Sequence, residues 1–312
     1  MFDRRHVMLG ALGACCLPRA RARAASFAPF REIAPGIHVR RGVDEEATRD
    51  NADAIANAGF IIGGEQVLVF DPGGSLADGA ALRAAIRERT QLPIRHVVMS
   101  HAHPDHVFGA GAFIEDKPAF VGHARLAAAL ATRGDYYRER LEAVLGKGAA
   151  GPVVTPTLEV TDTLELDLGG RTVRLAAHPP AHSDCDLTLL DVAGGTLFCG
   201  DLLFVRRVPA LDGSVLGWLQ VLEALKKVGA AQGVTGAVPG HGPERVDWPA
   251  GVADLERYLR TLVLETRVTV RDNIGIAAAV GKVGAGERGR WALFDDYHGR
   301  NVTQVYKELE WE

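Results

Sequence analysis

An α/β fold is predicted by three features of this 312-residue chain. Short β-type runs bounded by turn residues alternate with segments of helical period, and the alternation occurs in both halves. Residues able to carry chemistry come directly after the β-type runs, where sheets hand over to loops and α/β proteins build sites. The 47% hydrophobic content can fill one sizeable core, and no internal repeat divides the chain.

The elements follow in order. Ile37-His38-Val39-Arg40, Gly59-Phe60-Ile61-Ile62 and Gln66-Val67-Leu68-Val69-Phe70-Asp71 read as early strands separated by turn residues. The third leaves through Asp71-Pro72-Gly73-Gly74, so Asp71 is either a plain turn residue or a hydrogen-bond partner for a metal-bound imidazole. Residues 78–90 have helical spacing, with Ala81, Leu82, Ala85 and Ile86 on the apolar side. His96-Val97-Val98-Met99-Ser100 reads as a buried strand, and residues 126–145 as a helix charged on one face. Residues 153–168 and 171–177 predict a hairpin-rich opening to the second half. Strands at 187–190 and 196–198 are joined by Ala193-Gly194-Gly195, with Cys185 and Cys199 flanking them as a disulfide or as two buried thiols. Residues 254–270 form an amphipathic helix. Beyond it Trp291, Phe294, Tyr297, Tyr306 and Trp311 either pack a terminal helix down or, through His298 and Arg300, bring an anion contact to a site rim. Arg206-Arg207 offers a second anion contact or a solvated loop.

Directly after the 96–100 run stand His101-Ala102-His103-Pro104-Asp105-His106. Three imidazoles and a carboxylate in six positions are hard to place in a packed core, which avoids clustered polar groups without partners. They are the ligand types of zinc, iron and manganese. Further along come His182 in Pro-Ala-His-Ser-Asp, Asp201 in Cys-Gly-Asp-Leu-Leu and His241 in Val-Pro-Gly-His-Gly-Pro. Singly, these could be a turn cap, a helix cap and a Gly-rich loop residue.

In this order the residues resemble the metallo-β-lactamase superfamily, whose pattern is HxHxDH, then His, then Asp or Cys, then His. The resemblance runs from about Ile33 to His241 and implies a four-layer αβ/βα sandwich with the site at one sheet edge. It implies a first metal held by His101, His103 and His182, a second by Asp105, His106 and His241, and an Asp201 carboxylate bridging both. It further implies two zinc ions per chain, with iron or manganese as alternatives. A hydroxide between them would be the nucleophile, and Asp105 would orient it and take part in proton transfer. Asp at 201 resembles the hydroxyacylglutathione hydrolase branch, whereas the best-known zinc β-lactamases place Cys or Ser there, so antibiotic hydrolysis is disfavoured.

Residues 1–25 combine Arg4-Arg5, a short apolar stretch and Ala22-Arg23-Ala24. That is an export signal of twin-arginine type, placing the protein in the periplasm. The apolar stretch is shorter than the ~20 residues of a spanning helix, so no integral membrane segment is expected after processing; Cys15 leaves lipoprotein anchoring as a minor option. The segment carries five Arg and one Asp, a net of +4, so its removal takes the chain from −4 to about −8. An acidic body without a basic run excludes nucleic acid as partner, because phosphate contacts need clustered Lys and Arg. The expected division is residues 1–25 as signal, 26–250 as catalytic domain and 251–312 as a helical extension packed on it.

The expected partner is a small-molecule substrate. The C-terminal region has no basic cluster of the glutathione-binding type. Residues 51–60, the acidic exported body and the Asn301-Val302-Thr303-Gln304-Val305-Tyr306 tail are similar to a periplasmic subgroup associated with quinoprotein dehydrogenase or sulfur-oxidation systems. The leading reading is a dinuclear zinc hydrolase of an ester, thioester or related bond. The alternatives are an iron-dependent persulfide dioxygenase-type oxygenase and a non-catalytic metal-binding accessory protein. The dioxygenase branch uses one iron, whereas here Asp105, His106 and His241 complete a second set.

Overall fold

The computed structural model describes residues 27–312; the expected export signal, with Arg4-Arg5 and Cys15, lies outside them. The first sheet holds β1 (Arg31–Ala34), β2 (Ile37–Arg40), β3 (Ala58–Ile62), β4 (Val67–Phe70), β5 (Ile94–Val98), β6 (Ala119–His123) and β7 (Leu158–Val160), side by side in chain order. Its first four strands are antiparallel and β4 to β7 are parallel. The second sheet takes β8 (Thr163–Asp167), β9 (Thr172–Ala177), β10 (Leu187–Asp191), β11 (Thr196–Phe204), β12 (Gly236–His241) and β13 (Val246–Asp247), also in sequence order. Here only the pair β11–β12 is parallel. The helices are α1 (Leu76–Arg89), α2 (Pro104–Val107), α3 (Leu126–Leu145), α4 (Val215–Ala231), α5 (Ala253–Arg271), α6 (Ile276–Val280) and α7 (Phe294–Leu309).

Strand alternation explains the layering. On β4, Leu68 and Phe70 join Val98, Leu175, Leu189 and Phe198 in a core between the two sheets. Val67 and Val69 point the other way, against Leu82 and Ile86 of α1 and Leu126 and Leu130 of α3. The outer face of the second sheet, with Leu190, Leu197 and Ala237, is covered by Trp218 and Leu222 of α4, Leu259 and Leu262 of α5, and Val302 and Val305 of α7. Each such side chain contributes roughly 1.5–3 kcal/mol relative to exposure. The result is the four-layer αβ/βα sandwich that the sequence predicts.

Several expectations need correction. Of residues 153–168, only β7 and β8 are strands, and they part company: β7 extends the first sheet and β8 hairpins with β9 in the second. The strand expected at 196–198 runs on to Phe204, so Asp201 lies inside β11 and not after it. Cys185 and Cys199 are buried free thiols in different cores. Pairing of Leu189 with Phe198 sets Cys199 opposite Thr188, three positions from Cys185. Helix α4 is absent from the predicted elements, although Ser214 caps it by accepting from Gly217 N–H.

The junction between β9 and β10 carries a pH dependence. Burial, with the neighbouring His123 charge, pushes the His178 imidazole from its ordinary 6.5 down to about 4, while its Nε2 contacts Thr188 Oγ1 at 2.8 Å. The unfolded chain therefore takes up this proton first as pH falls. The stability contribution is complete above about 6.5 and is lost as pH drops toward 4, a loss on the order of 3 kcal/mol. The variant His178→Gln keeps a hydrogen bond to Thr188 but has no proton to gain. Its urea midpoint should fall less between pH 7 and 4.5 than that of the parent; equal falls would refute this assignment.

Candidate metal centre

Seven residues from four separate stretches of the chain meet at one edge of the two sheets. His101, His103, Asp105 and His106 lie on the loop and the short α2 that leave β5; His182 lies between β9 and β10, Asp201 inside β11, and His241 ends β12. Ligand atoms of His101, His103, His182 and Asp201 lie within 4.8 Å of one another, as do those of Asp105, His106 and His241. Asp201 spans both groups. Its Oδ2 is 3.4 Å from His182 Nε2, and its Oδ1 is 3.1 Å from His106 Nε2 and 3.4 Å from His241 Nε2. Asp105 Oδ2 is 3.2 Å from the same His241 nitrogen.

Two glycines permit this approach. Gly200 takes a φ of +51° where β11 shifts register against β12, and a Cβ there would sit 2.7 Å from Ser100 Oγ. At Gly240 a Cβ would run into Asp201 Oδ1. Small residues beside Asp201 are thus a condition of its position.

The orientation of the imidazoles decides what the site can do. His106 Nδ1 donates to Asp71 Oδ2 at 2.8 Å, and Asp71 also accepts from Ser100 N–H at 2.8 Å and Ser100 Oγ at 2.9 Å. With its proton given to Asp71, the Ser100 oxygen accepts from His101 Nδ1 at 3.0 Å. His182 Nδ1 donates to the Ala210 carbonyl at 2.7 Å, and His103 Nε2 to Asp212 Oδ2 at 2.9 Å. His241 Nδ1 lies 3.0 Å from the Ile55 carbonyl and 3.4 Å from an Arg207 nitrogen; the shorter contact makes it a donor. All five rings therefore turn their second nitrogen inward, a lone pair wherever the imidazole is neutral.

Among His101, His103 and His182 the inner nitrogens have no proton to share. His182 Nε2 stands 3.2 Å from His101 Nε2 and 3.0 Å from His103 Nδ1, acceptor against acceptor. His106 Nε2 and Asp201 Oδ1 are buried without a hydrogen bond among the described residues. An unsatisfied buried polar group costs about 1–3 kcal/mol, and a divalent cation in each ligand group would relieve these. The donor set fits one: imidazole nitrogen and carboxylate oxygen suit zinc, iron or manganese.

Electrostatics agree with that fit. Burial lowers the His101 and His182 imidazoles, His182 to about 3, so both are neutral donors at physiological pH. Burial alone would raise Asp105 and Asp201, but the His106 charge and the contacts from His241 outweigh it and hold both carboxylates ionised. His106 and His241 are raised against their burial, chiefly by Asp201. A cation competing for those nitrogens would displace the proton.

A cleft of about 910 Å³ opens over His103, Asp105, Asp201 and His241, between α3 and α7. Of the arginines flagged in the sequence, Arg207 is buried in its wall under the Tyr297 ring, and Arg300 lies on the rim in an ion pair with Asp212. Arg206 is exposed. His298 does not reach the rim: its nitrogens meet Tyr258 Oη at 3.0 Å and the Val283 carbonyl at 2.8 Å, so it packs the terminal helix. Trp291 and Phe294 serve the same core, whereas Trp311 is exposed. Sequence reading passed over Asp212, which holds His103, and Asp53, a buried carboxylate in the cleft wall. Leu211-Asp212-Gly213-Ser214 signals only a turn before α4, and Asp53 carries no local signal of its position.

A family model described as the metallo-beta-lactamase superfamily matches residues 52–248. The chain belongs to this superfamily. Solved structures of similar fold include a metallo-beta-lactamase from Pontibacter korlensis, 15% identical with a TM-score of 0.60, covering 74% of this chain and 98% of that one. The protein TMB-1 is 14% identical with a TM-score of 0.59, covering 75% and 98%. The metallo-beta-lactamase IND-7 is 16% identical with a TM-score of 0.58, covering 74% and 97%. At these identities the likeness is one of fold. No curated protein matches the chain. Among the described residues, no helix is long and apolar enough to cross a membrane. The superfamily's members are typically metal-dependent hydrolases, and the inward-facing His and Asp groups form a candidate site for that chemistry.

Proposed function

We propose that the chain is a periplasmic dinuclear zinc hydrolase of the hydroxyacylglutathione hydrolase-like branch, cleaving an ester, thioester or related bond in a small molecule. The observation that carries this reading is that five imidazoles have their outer nitrogens tied to Ser100, Asp212, Asp71, Ala210 and Ile55, with their inner nitrogens converging on Asp105 and Asp201. His101, His103 and His182 would hold one cation, Asp105, His106 and His241 the other, and Asp201 both. Two such cations, when bound, supply a water that ionises near neutral pH and polarise the bond under attack.

The chain's own groups do the rest. Asp105, ionised and at the cleft floor, accepts a hydrogen bond from the attacking water and aims it. Its lowered pKa makes it a better orienting acceptor than a base. Asp at 201 instead of Cys or Ser favours ester or thioester cleavage over antibiotic hydrolysis. Export through the twin-arginine route rests on residues 1–25. A role beside a periplasmic quinoprotein or sulfur-oxidation system rests on the resemblance carried by residues 51–60. That segment supplies the carbonyl that orients His241, and Asn57 Nδ2 donates to Pro239 O at 2.8 Å.

The test is elemental analysis of the mature protein purified from the periplasm, with the same sample assayed on thioesters, esters and lactams. About two zinc ions per chain together with turnover of an ester or thioester is the expected result. About one iron per chain, with oxygen consumed on a persulfide, would overturn it.

A further inference from the structure

Above the metal centre, four arginines line the cleft in a chain whose net charge is −4. Arg133 and Arg140 come from α3, Arg207 follows β11, and Arg300 comes from α7. Of the carboxylates in the same cleft, Asp105 and Asp201 face the imidazoles, and Asp53 is buried. That leaves Glu46 and Asp212 to balance the walls. Glu46 is engaged by Arg207 at 3.6 Å and by the Tyr297 hydroxyl at 2.6 Å. Asp212 is shared three ways, by His103, by Arg133 at 3.1 Å and by Arg300.

One carboxylate cannot neutralise two guanidinia, and Arg140 makes no salt bridge among the described residues. The side chains of Arg133 and Arg300 are 53% and 59% exposed, so both can turn toward a ligand. The helix α3 places Arg133, Tyr137, Arg140, Leu141 and Val144 three or four residues apart, hence on one face, and that face lines the cleft. Val144 remains 41% exposed there, an apolar strip beside the charges.

We infer that the cleft takes a small ester or thioester carrying a carboxylate remote from the bond cleaved, held by Arg140 with Arg133 and Arg300 while its apolar body lies along α3. The hydrolytic half of this statement rests on the proposed function; the anion half rests on the arginines alone. A guanidinium offers paired donors that match a carboxylate, and wall arginines without a full counter-charge attract ligands of the opposite sign. Asp212 links Arg133 and Arg300 to His103, so the anion site lies one carboxylate and one imidazole away from the reacting bond.

The test compares 4-nitrophenyl acetate with the 4-nitrophenyl monoester of glutarate on the zinc-loaded protein, and on its Arg140→Gln and Arg140→Glu variants. The charged ester should be preferred in kcat/KM, and Arg140→Glu should reduce that preference about tenfold through KM, with Arg140→Gln between. Added salt should reduce it too. A charged-to-neutral ratio identical in all three proteins would overturn the inference. If neither ester is cleaved, the hydrolase reading fails by itself. Glutarate binding by calorimetry then decides the anion site: weaker binding to Arg140→Glu supports it, and equal affinity overturns it.

Discussion

Replacing Asp201 with Ala should strip cations from both groups of ligands and abolish turnover. The carboxylate stands between them, with Oδ2 toward His182 and Oδ1 toward His106 and His241, so no other side chain can substitute for it. Loss of an outer partner of a metal ligand typically costs about 10–100-fold in affinity; loss of the shared ligand itself should cost at least ~100-fold at each position. Elemental analysis should find well under the parent's metal content, and ester or thioester cleavage should drop below detection. Thermal melts provide a second readout. Zinc at ~100 times its dissociation constant stabilises a folded protein by about 2.7 kcal/mol, so excess zinc should raise the parent's Tm and leave the variant's nearly unmoved. A variant that keeps its metal and a parent-like rate would remove Asp201 from the centre.

The parts of this molecule legible in its sequence are those whose cause is local. Four metal-type ligands in six residues after an apolar run announce a site without any tertiary knowledge, and the structure places those four in the two ligand groups, with His103 and Asp105 lining the cleft. The alternation of Val67, Leu68, Val69 and Phe70 likewise contains both its inner and outer packing. What escaped depends on long-range placement. Asp212 gains its importance only when β10, β11 and the start of α4 bring it to His103, 109 residues away. Asp201 was placed after a strand because Gly200 breaks the β-type run, whereas the fold uses that glycine to shift register and continue β11. His298 looked available for a ligand because its sequence neighbours are polar. Helix α5 instead supplies Tyr258 as its partner and closes the core around it.

The same logic separates Asp105 from its neighbours. Asp105→Asn is nearly isosteric and leaves one oxygen able to face the cleft, so far-UV circular dichroism should not change. The amide has no charge, however, and its NH2 group cannot accept. If the amide oxygen turns to the ligand side, where His241 Nε2 stands 3.2 Å from the carboxylate, the attacking water meets a donor where it needs an acceptor. Turnover should fall by about 10²–10⁴-fold, the usual worth of a positioned proton-handling group. Because Asp105 is held well below the usual carboxylate range, chiefly by the His106 charge acting against burial, the parent should show no activity step near pH 4 from this residue. Activity of metal-replete Asp105→Asn close to that of the parent would move water orientation elsewhere in the cleft. Asp53 is the next group to consider: it lines the same wall, buried, with burial and the Asp105 charge raising its carboxyl well above its ordinary value. A carboxyl kept neutral can donate where Asp105 accepts, so Asp53→Ala in the Asp105→Asn background should lower the residual rate further only if that donor is used.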